Sequence, residues 1–391
     1  MTVIPVRTLN THLNAGTRYQ PGQAYLASPE ALAWLERGQL AMREEAFTSL
    51  WESPTGRILS PKELRAHYKA APASERSLRV LQLTHYDPGA SAYRYHSALN
   101  ASGAALSAFV RWGHSNPHCD LRQWDGDEER FAAEMLFLSA DVILCHIDYR
   151  TMMQELQRFP LKHQRLVRLY HGSVEPPMRP QLVENEKDDT YEAVQIGARL
   201  YHRRLSSRMH WLPIPMPIKD YRTKKPRVSH VFRVAHSPTR REIKGTDIFL
   251  AAIESLRAEG HRIEAVLIEN LSHGEAIQLK QTCHATFDSF WLGMQGSGLE
   301  AACMQQLVIA GDPAVKSENE RILGQCPYTY ANDAEALRVI LTKAMTDPMW
   351  RAAEAARSHA YVQQYHSYDA VGAAFTAIAE KEEFRVPANR S

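Results

Sequence analysis

The chain has 391 residues, of which 44% are hydrophobic and 23% are charged, and its formal net charge is +2. This composition predicts a globular protein of two or three domains and excludes a molecule-wide basic field, so contact with a polyanion would require local patches. No apolar run approaches the ~18 residues of a membrane helix, so no stable membrane insertion is expected, and the first residues lack the apolar core of a signal peptide. The five scattered cysteines contain no Cys-x-x-Cys pair, which predicts reduced thiols in a cytoplasmic protein.

The first 48 residues form a segment of their own. Two short apolar stretches, Val3–Val6 and Gln23–Leu26, flank the turn-rich residues 10–22, and the residues from Pro29 to Gly38 follow them. This arrangement predicts a small accessory module of strands and one helix. Residues 49–76 are polar and contain three prolines, which is typical of a linker.

From residue 77 the chain alternates between apolar runs and amphipathic runs. The apolar runs predict strands at Leu78–Leu83, Ala105–Val110, Val142–Cys145 and Leu166–Tyr170. The amphipathic runs predict helices at Ala92–Ser102, which Gly103 closes, at Asp127–Leu138 and at Met152–Arg158. Such alternation predicts a parallel sheet covered by helices.

Prolines at 213, 215 and 217 interrupt this rhythm and enforce an extended connector. The alternation then restarts, with strands expected at Val231–Ala235, Ile263–Ile268, Phe287–Phe290 and Leu307–Ile309. A helix is expected over Ile248–Leu256, ended by Gly260, and Ser272 with Glu275 predicts a capping box for the next one. The last helices, from Met349 to about Lys381, are expected to cross back to the first sheet.

The predicted fold class is therefore α/β, with two Rossmann-like domains that face a cleft. Their expected bounds are residues 77–218 and 219–350, preceded by the accessory module and the linker. The returning helices are expected over residues 351–391.

Two loops at predicted strand ends carry the strongest functional signal. Residues 236–247 contain Arg240, Arg241 and Lys244, and residues 296–302 open a helix with Glu300 expected in its first turn. If they belong to successive βα units, the loops meet at one edge of the parallel sheet, where ligands of doubly wound folds bind. Cations and helix N-termini suit a diphosphate there, and a carboxylate suits a ribose or sugar hydroxyl. The sequence thus predicts a nucleotide-sugar pocket.

Four segments, taken in order, resemble those of the GT-B glycosyltransferases of the family 4 type, over roughly residues 78–380. Residues 89–99 are similar to that family's first βα loop, and residues 168–173 to the strand whose terminal histidine touches the donor sugar. Residues 236–245 are similar to its diphosphate-binding loop, and residues 298–302 to the segment whose glutamate binds the nucleoside. The resemblance implies a GT-B fold and retaining transfer from a nucleoside-diphosphate sugar, expected to be a UDP-sugar, without a cofactor or metal ion.

The resemblance also implies roles for individual residues. His171, Arg241 and Lys244 are the expected catalytic residues, and the two cations would stabilise the diphosphate as the glycosidic bond breaks. Donor contacts are expected from Gly89, Ala90, Ser91, His236, Ser237, Arg241, Lys244, Gly296, Ser297, Gly298, Leu299 and Glu300. The candidates for orienting the acceptor hydroxyl are His85, Asp87, Arg94, His146 and Asp148.

One position departs from the family pattern. The family commonly has a second glutamate eight residues before the one that matches Glu300, and this chain has Leu292 there. Gln295 or the backbone amides of residues 296–298 would then replace its sugar contact. The same departure keeps open a non-catalytic protein that binds a nucleotide sugar or DNA.

The acceptor is left between two classes. Residues 18–22 and the helix expected after them are similar to small modules of tailed-phage proteins, and basic clusters occur at Arg203, Arg204 and Arg208 and at Arg222, Lys224, Lys225 and Arg227. A phage-encoded enzyme in the host cytoplasm would glycosylate a hydroxymethylated base in DNA, which has to leave the stack. The alternative acceptor is an envelope saccharide or lipid-linked sugar, reached from the cytoplasmic membrane face.

Overall fold

The computed structural model describes residues 4–8, 12–14, 17–19, 24–27, 41–43, 78–84, 90–111, 140–146, 164–171, 194–204, 208–221 and 230–384. The first 43 residues contribute short antiparallel strands: β1 (Ile4–Thr8), β2 (His12–Asn14), β3 (Thr17–Tyr19), β4 (Ala24–Ala27) and β5 (Ala41–Arg43). β1 lies between β4 and β5, and β2 pairs with β3. The helix expected over residues 29–38 and the linker lie outside the described residues.

The next sheet has six parallel strands in the order β11-β10-β9-β8-β6-β7. They are β6 (Arg79–Thr84), β7 (Leu106–Arg111), β8 (Val142–His146), β9 (Arg165–Tyr170), β10 (Val194–Gly197) and β11 (His210–Trp211). β6 and β8 are buried along their whole length, as expected of strands covered on both faces. Helix α1 (Ser91–Ala101) joins β6 to β7. The helices expected at Asp127–Leu138 and Met152–Arg158 lie outside the described residues.

The proline connector is extended and largely buried from Leu212 to Met216. It is held by a segment from the far end of the chain. Met216 donates its backbone N–H to the carbonyl of His366 over 2.7 Å, and Nδ1 of His366 donates to the carbonyl of Ile214 over 2.8 Å. The link between the two large sheets is therefore fastened to the C-terminal helices.

The second large sheet has five parallel strands in the order β13-β12-β14-β15-β16. They are β12 (Phe232–His236), β13 (Ile263–Leu267), β14 (Ala285–Phe287), β15 (Leu307–Ala310) and β16 (Thr329–Tyr330). The strand predicted at Phe287–Phe290 in fact ends at Phe287, because the chain turns at Asp288 to place that side chain under the next helix. The two predicted site loops follow β12 and β14. These strands are neighbours in the sheet. The sequence predicts that they are also successive in the chain, but β13 lies between them.

The helices of this half are α2 (Arg241–Lys244), α3 (Thr246–Ala258), α4 (His273–Lys280), α5 (Gly296–Cys303), α6 (Pro313–Leu323) and α7 (Ala334–Thr346). Gly245 separates α2 from α3 with φ of 74°, and a Cβ there would lie 2.5 Å from the Phe290 ring. Glycine is therefore required for both conformation and space. The predicted capping box of Ser272 and Glu275 is confirmed at the start of α4.

The chain ends in α8 (Pro348–Tyr361), a π-helical turn (Val362–His366) and α9 (Tyr368–Lys381). Helix α9 packs against α1 of the first large sheet. A Cβ at Gly372 would lie 2.2 Å from Oγ of Ser102, so the two backbones approach closely. Phe375 of α9 joins a buried core that also contains Leu99 of α1 and Leu299 of α5. Residues that pack against the first large sheet and residues that pack against the second thus share one core.

Candidate functional site

Glu300 is the centre of the contacts between the two halves. The sequence predicts Glu300 in the first turn of its helix. Because α5 begins at Gly296, Glu300 lies in the second turn instead. Its Oε1 accepts hydrogen bonds from Nη2 of Arg94 at 3.0 Å and from Nε2 of His273 at 2.9 Å, and its Oε2 accepts one from Nζ of Lys280 at 2.8 Å. The side chain is 12% exposed. Three cationic or potentially cationic groups therefore hold one nearly buried carboxylate.

The charge of Glu300 follows from these partners. Burial by itself would raise the pKa of the carboxyl group, but Lys280, the hydrogen bond from His273 and Arg94 together hold that pKa well below its ordinary value. Glu300 is consequently ionised at neutral pH and acts only as a hydrogen-bond acceptor.

Lys280 is a site residue that the sequence reasoning missed. It is the last residue of α4 and is 1% exposed, and its Nζ also donates to Oγ of Ser297 at 2.9 Å. A signal was present, because Lys280 follows Ala276 and Ile277 by four and three residues and shares the helix face that packs inward. A lysine at such a position requires a buried anion, which Glu300 supplies.

Arg94 brings the first large sheet to the same point. It lies in α1, is buried, and donates from Nη1 to Sδ of Met216 at 3.3 Å and from Nη2 to the Tyr221 hydroxyl at 3.4 Å, in addition to its bond to Glu300. It was predicted to reach into the cleft as an acceptor candidate. The structure places its guanidinium against the carboxylate expected to bind ribose.

The start of α5 is organised by Asp288, which the sequence reasoning also missed. Its Oδ2 accepts the backbone N–H groups of Gln295 and Gly298, and its Oδ1 accepts a hydrogen bond from Nζ of Lys244 at 2.6 Å. Lys244, a predicted diphosphate ligand, therefore lies in a buried ion pair. Within the described residues the N–H groups of Gly296 and Ser297 have no protein acceptor, which leaves the first two donors of the helix for an anion.

The loop after β12 contains residues in three different situations. Arg241 is half-exposed and pairs with Glu269, its Nε donating to Oε1 at 2.8 Å. Oγ of Ser237 is buried and has no hydrogen-bond partner in the part of the chain that is described. His236 is a predicted donor contact. Both nitrogens of its ring have protein partners, since Nδ1 donates to the Phe287 carbonyl at 3.0 Å and Nε2 accepts from the Thr246 hydroxyl at 2.9 Å. Burial lowers the pKa of His236 to about 4, and its ring is a neutral link between β12, β14 and α3.

Two predicted residues of the first half, His146 and His171, are in contact. Nε2 of His171 lies 2.7 Å from Nδ1 of His146, and Nε2 of His146 lies 2.7 Å from Oε1 of Gln82. With this orientation of Gln82, Nε2 of His146 donates to Oε1 of Gln82, and Nδ1 of His146 is therefore an acceptor. Nε2 of His171 donates to that Nδ1, so Nδ1 of His171 carries no proton and is an acceptor. That atom is buried and has no partner among the described residues. Burial lowers the pKa of His146 to about 3 and, with His146 beside it, holds the pKa of His171 well below its usual range.

The remaining predicted residues are placed as follows. Ala90 precedes α1 with φ of 49°, a left-handed conformation that is costly for alanine, and Ser91 is the first residue of that helix. The side chain of Gln295, the expected substitute for the missing glutamate, is turned back and donates to the Leu292 carbonyl. His85, Asp87, Gly89 and Asp148 lie outside the described residues, as do the basic residues 222–227. Arg203 and Arg208 are exposed.

The described part of the chain contains no candidate metal site and no candidate membrane span. No group of three or more His, Cys, Asp or Glu residues there could hold a metal ion. None of its helices is both long and apolar enough to cross a membrane.

No protein-family model and no curated protein matches the sequence, but solved structures share its fold. A glycosyltransferase from Rickettsia africae has a TM-score of 0.56 at 10% identity over 81% of this chain and 100% of its own. HepE from Anabaena, solved with UDP, has a TM-score of 0.54 at 13% identity over 78% and 100%. Sucrose-phosphate synthase from Thermosynechococcus elongatus has a TM-score of 0.53 at 14% identity over 78% and 99%. The likeness shows the predicted fold, the two-domain GT-B architecture of these glycosyltransferases.

Proposed function

We propose that the protein is a glycosyltransferase that takes its sugar from a nucleoside diphosphate bound at the edge of the second large sheet. The observation that carries the proposal is Glu300, an ionised carboxylate one helical turn from the N–H groups of Gly296 and Ser297 that lack a protein acceptor. An acceptor of hydroxyl protons beside donors for phosphate oxygens is the combination that a ribose diphosphate requires. HepE, which has the same fold, was solved with UDP and with UDP-glucose, and this supports UDP as the nucleotide.

The hydrogen bonds of Glu300 would change little when the donor binds. A carboxylate has about four lone-pair sites, and Arg94, His273 and Lys280 use three of those of Glu300. One ribose hydroxyl can therefore donate to Glu300 directly. A second hydroxyl would have to displace Arg94 or His273, which are the two donors that share Oε1.

The diphosphate would lie over the start of α5. Gly296 and Ser297 would donate their N–H groups, and Arg241 would leave its exposed pair with Glu269 to add a charge-assisted bond. Lys244 would act mainly through Asp288, because that ion pair holds the turn from which the helix starts. These groups would stabilise the negative charge on the departing nucleoside diphosphate.

We propose a retaining reaction without a metal ion, in which the acceptor attacks the face that the leaving group departs from. A phosphate oxygen of the donor would help to remove the acceptor proton. His171 would contact the transferred sugar through its bare Nδ1. The proposal is supported by the tautomer that Gln82 and His146 impose on His171.

For the acceptor we propose a hydroxymethylated base in DNA, supported by the exposed Arg203 and Arg208 and by the basic residues 222–227 of the sequence. An envelope saccharide or lipid-linked sugar remains the second candidate. Incubation with sugar nucleotides and hydroxymethylated DNA, followed by digestion to nucleosides and mass spectrometry, separates them. A hexose-sized mass increase on a nucleoside supports DNA, and transfer to a saccharide or lipid acceptor alone refutes it.

Calorimetric titration with UDP tests the donor site. Glu300→Gln should weaken UDP binding about 10- to 100-fold, because one charge-assisted hydrogen bond contributes roughly 1.5–3 kcal/mol. The matched control is Glu320→Gln, an exposed glutamate of α6 paired with Lys316, which should leave the affinity unchanged. Equal UDP affinity in all three proteins would refute the site.

A second assay addresses turnover. Release of glucose from UDP-glucose in water is expected of an active transferase without its acceptor. UDP-glucose binding with neither hydrolysis nor transfer would instead support the non-catalytic protein that Leu292 favours.

A further inference from the structure

We infer that Arg94 exchanges partners when the donor binds, so that its guanidinium leaves the carboxylate of Glu300 and pairs with the diphosphate. This role rests on the function proposed above, because it requires a nucleoside diphosphate at the edge of the second large sheet. Arg94 lies in α1 of the first half. A residue of one half would thus respond to a ligand bound by the other.

Arg94 is a buried cation with one anionic partner. Its side chain is 10% exposed, and among the described residues Glu300 is the only carboxylate that pairs with it, at 3.0 Å. Its two other contacts are neutral, namely Sδ of Met216 at 3.3 Å and the Tyr221 hydroxyl at 3.4 Å. Because arginine stays charged in proteins, Arg94 needs either Glu300 or another anion in its place.

Glu300 does not depend on Arg94 in the same way. Nζ of Lys280 lies 2.8 Å from Oε2, and Nε2 of His273 lies 2.9 Å from Oε1, so the carboxylate stays paired if Arg94 leaves. Departure of Arg94 also frees a lone pair of Oε1 for a ribose hydroxyl. The cost of the departure falls on Arg94 alone, whose buried charge would lose its anion. Arg94 is therefore expected to leave only for another anion.

The proposed diphosphate position lies next to this carboxylate. Nζ of Lys280 bonds to Oε2 of Glu300 and also to Oγ of Ser297 at 2.9 Å, so the carboxylate adjoins the first turn of α5. These two bonds hold Lys280 in place, and Lys244 is held in its own buried ion pair. Arg94 is not fixed by a second anion, and its planar guanidinium can donate two parallel hydrogen bonds to a phosphate.

The exchange would couple the nucleotide to the contact between the two halves. Arg94 touches Met216 of the proline connector and Tyr221 just beyond it, and both contacts would be given up when the guanidinium moves. A nucleoside without phosphates offers Arg94 no anion. Arg94 should consequently hinder the binding of a nucleoside and favour the binding of its diphosphate.

Titration calorimetry with UDP, and with uridine in displacement of UDP, tests this inference because uridine has the ribose but no phosphate. Arg94→Met keeps a long side chain and removes the charge. Its affinity for UDP should fall about 10- to 100-fold, the effect of one charge-assisted hydrogen bond. Its affinity for uridine should rise about 2- to 10-fold, because the ribose no longer competes with Arg94 for Glu300. Arg257→Met is the matched control, an exposed arginine of α3 paired with Glu254, and it should change neither affinity.

The opposite direction of the two changes separates the exchange from simpler roles of Arg94. If Arg94 only supports the fold or the position of Glu300, both ligands should bind more weakly to Arg94→Met. If it only blocks the carboxylate, both should bind more tightly. Either result overturns the inference.

Arg94→Gln is a second variant, in case the first one fails to fold. Its amide can still donate to Glu300, but it carries no charge for the diphosphate. The ratio of UDP affinity to uridine affinity should fall at least about 10-fold relative to the wild type, and an unchanged ratio would also overturn the inference. If UDP does not bind to the wild type, the proposed function fails first, which is a different result.

Discussion

Removal of the Lys280 ammonium is the sharpest test of how the site is held together. In Lys280→Met the side chain keeps its length and packing but loses bonds to Oε2 of Glu300 at 2.8 Å and to Oγ of Ser297 at 2.9 Å. Deleting one partner of a buried ion pair costs roughly 3–5 kcal/mol, because the other charge stays buried. Glu300 retains Arg94 and His273 on Oε1. We therefore expect the lower end of that range, a loss of about 3 kcal/mol in the free energy of unfolding.

The pH dependence distinguishes this ion pair from simple loss of packing. The pKa of Glu300 is depressed in the folded protein, so its contribution is complete above the ordinary glutamate pKa of 4.5 and is lost as the pH falls through the folded value. The stability difference between wild type and Lys280→Met should accordingly be largest at neutral pH. It should shrink in acid, once Glu300 is protonated in both proteins.

Urea unfolding at neutral and acid pH measures both effects. Lys316→Met is the matched control, since Lys316 forms an exposed pair with Glu320 within one helix and should cost no more than about 1 kcal/mol. A loss in Lys280→Met as small as that of the control, or one that does not change with pH, would refute the reasoning.

Three further outcomes are expected. Ala90→Gly should raise the free energy of unfolding by about 0.5–1 kcal/mol, because relief of a left-handed alanine exceeds the entropy that glycine adds to the unfolded chain; thermal unfolding would show a lower midpoint if the turn is not strained. Gly298→Ala should destabilise the protein by about 1–3 kcal/mol and weaken UDP binding, since its Cβ would lie 2.6 Å from both Oδ2 of Asp288 and Cγ of Met294. Gly274→Ala is the control, because nothing lies within 4 Å of a Cβ there. Equal effects of the two substitutions would contradict the packing argument. Small-angle scattering should show compaction when UDP is added, by bending near Pro213, Pro215 and Pro217, whereas an unchanged profile at saturation would speak against closure.

The sheets were predictable because their strands are buried runs of apolar residues between clear turn signals. β6, β8 and β15 are confirmed to within about a residue. β10 escaped prediction because Gln195 and Gly197 interrupt its apolar run, whereas β15 is apolar throughout. β11 escaped because it has only two residues. The loops that carry the candidate site were predictable for a related reason, since they must follow the carboxyl ends of parallel strands.

The partners within the site were not predictable from local pattern. Arg94 and Glu300 are 206 residues apart in the chain, and only the folded topology brings them together. His236 and His146 both end strands and look alike in the sequence. In the fold, however, the His236 ring is saturated by backbone and threonine partners, whereas His146 continues a chain of hydrogen bonds to His171. Which partner a buried ring finds depends on neighbouring strands, and the sequence does not order those strands.

The packing of α9 on α1 has a consequence for how the molecule is made. A ribosome produces the first large sheet long before residues 368–381, yet helix α1 meets part of its apolar cover only when Val371 and Phe375 arrive. The half that is synthesised earlier is thus completed later, and its nascent form exposes apolar surface while the second half emerges. Chains that depend on such distant pairing fold slowly and are prone to aggregation before they close. The two hydrogen bonds between His366 and the proline connector would then be among the last contacts formed, and they would fix the relative position of the two folded halves.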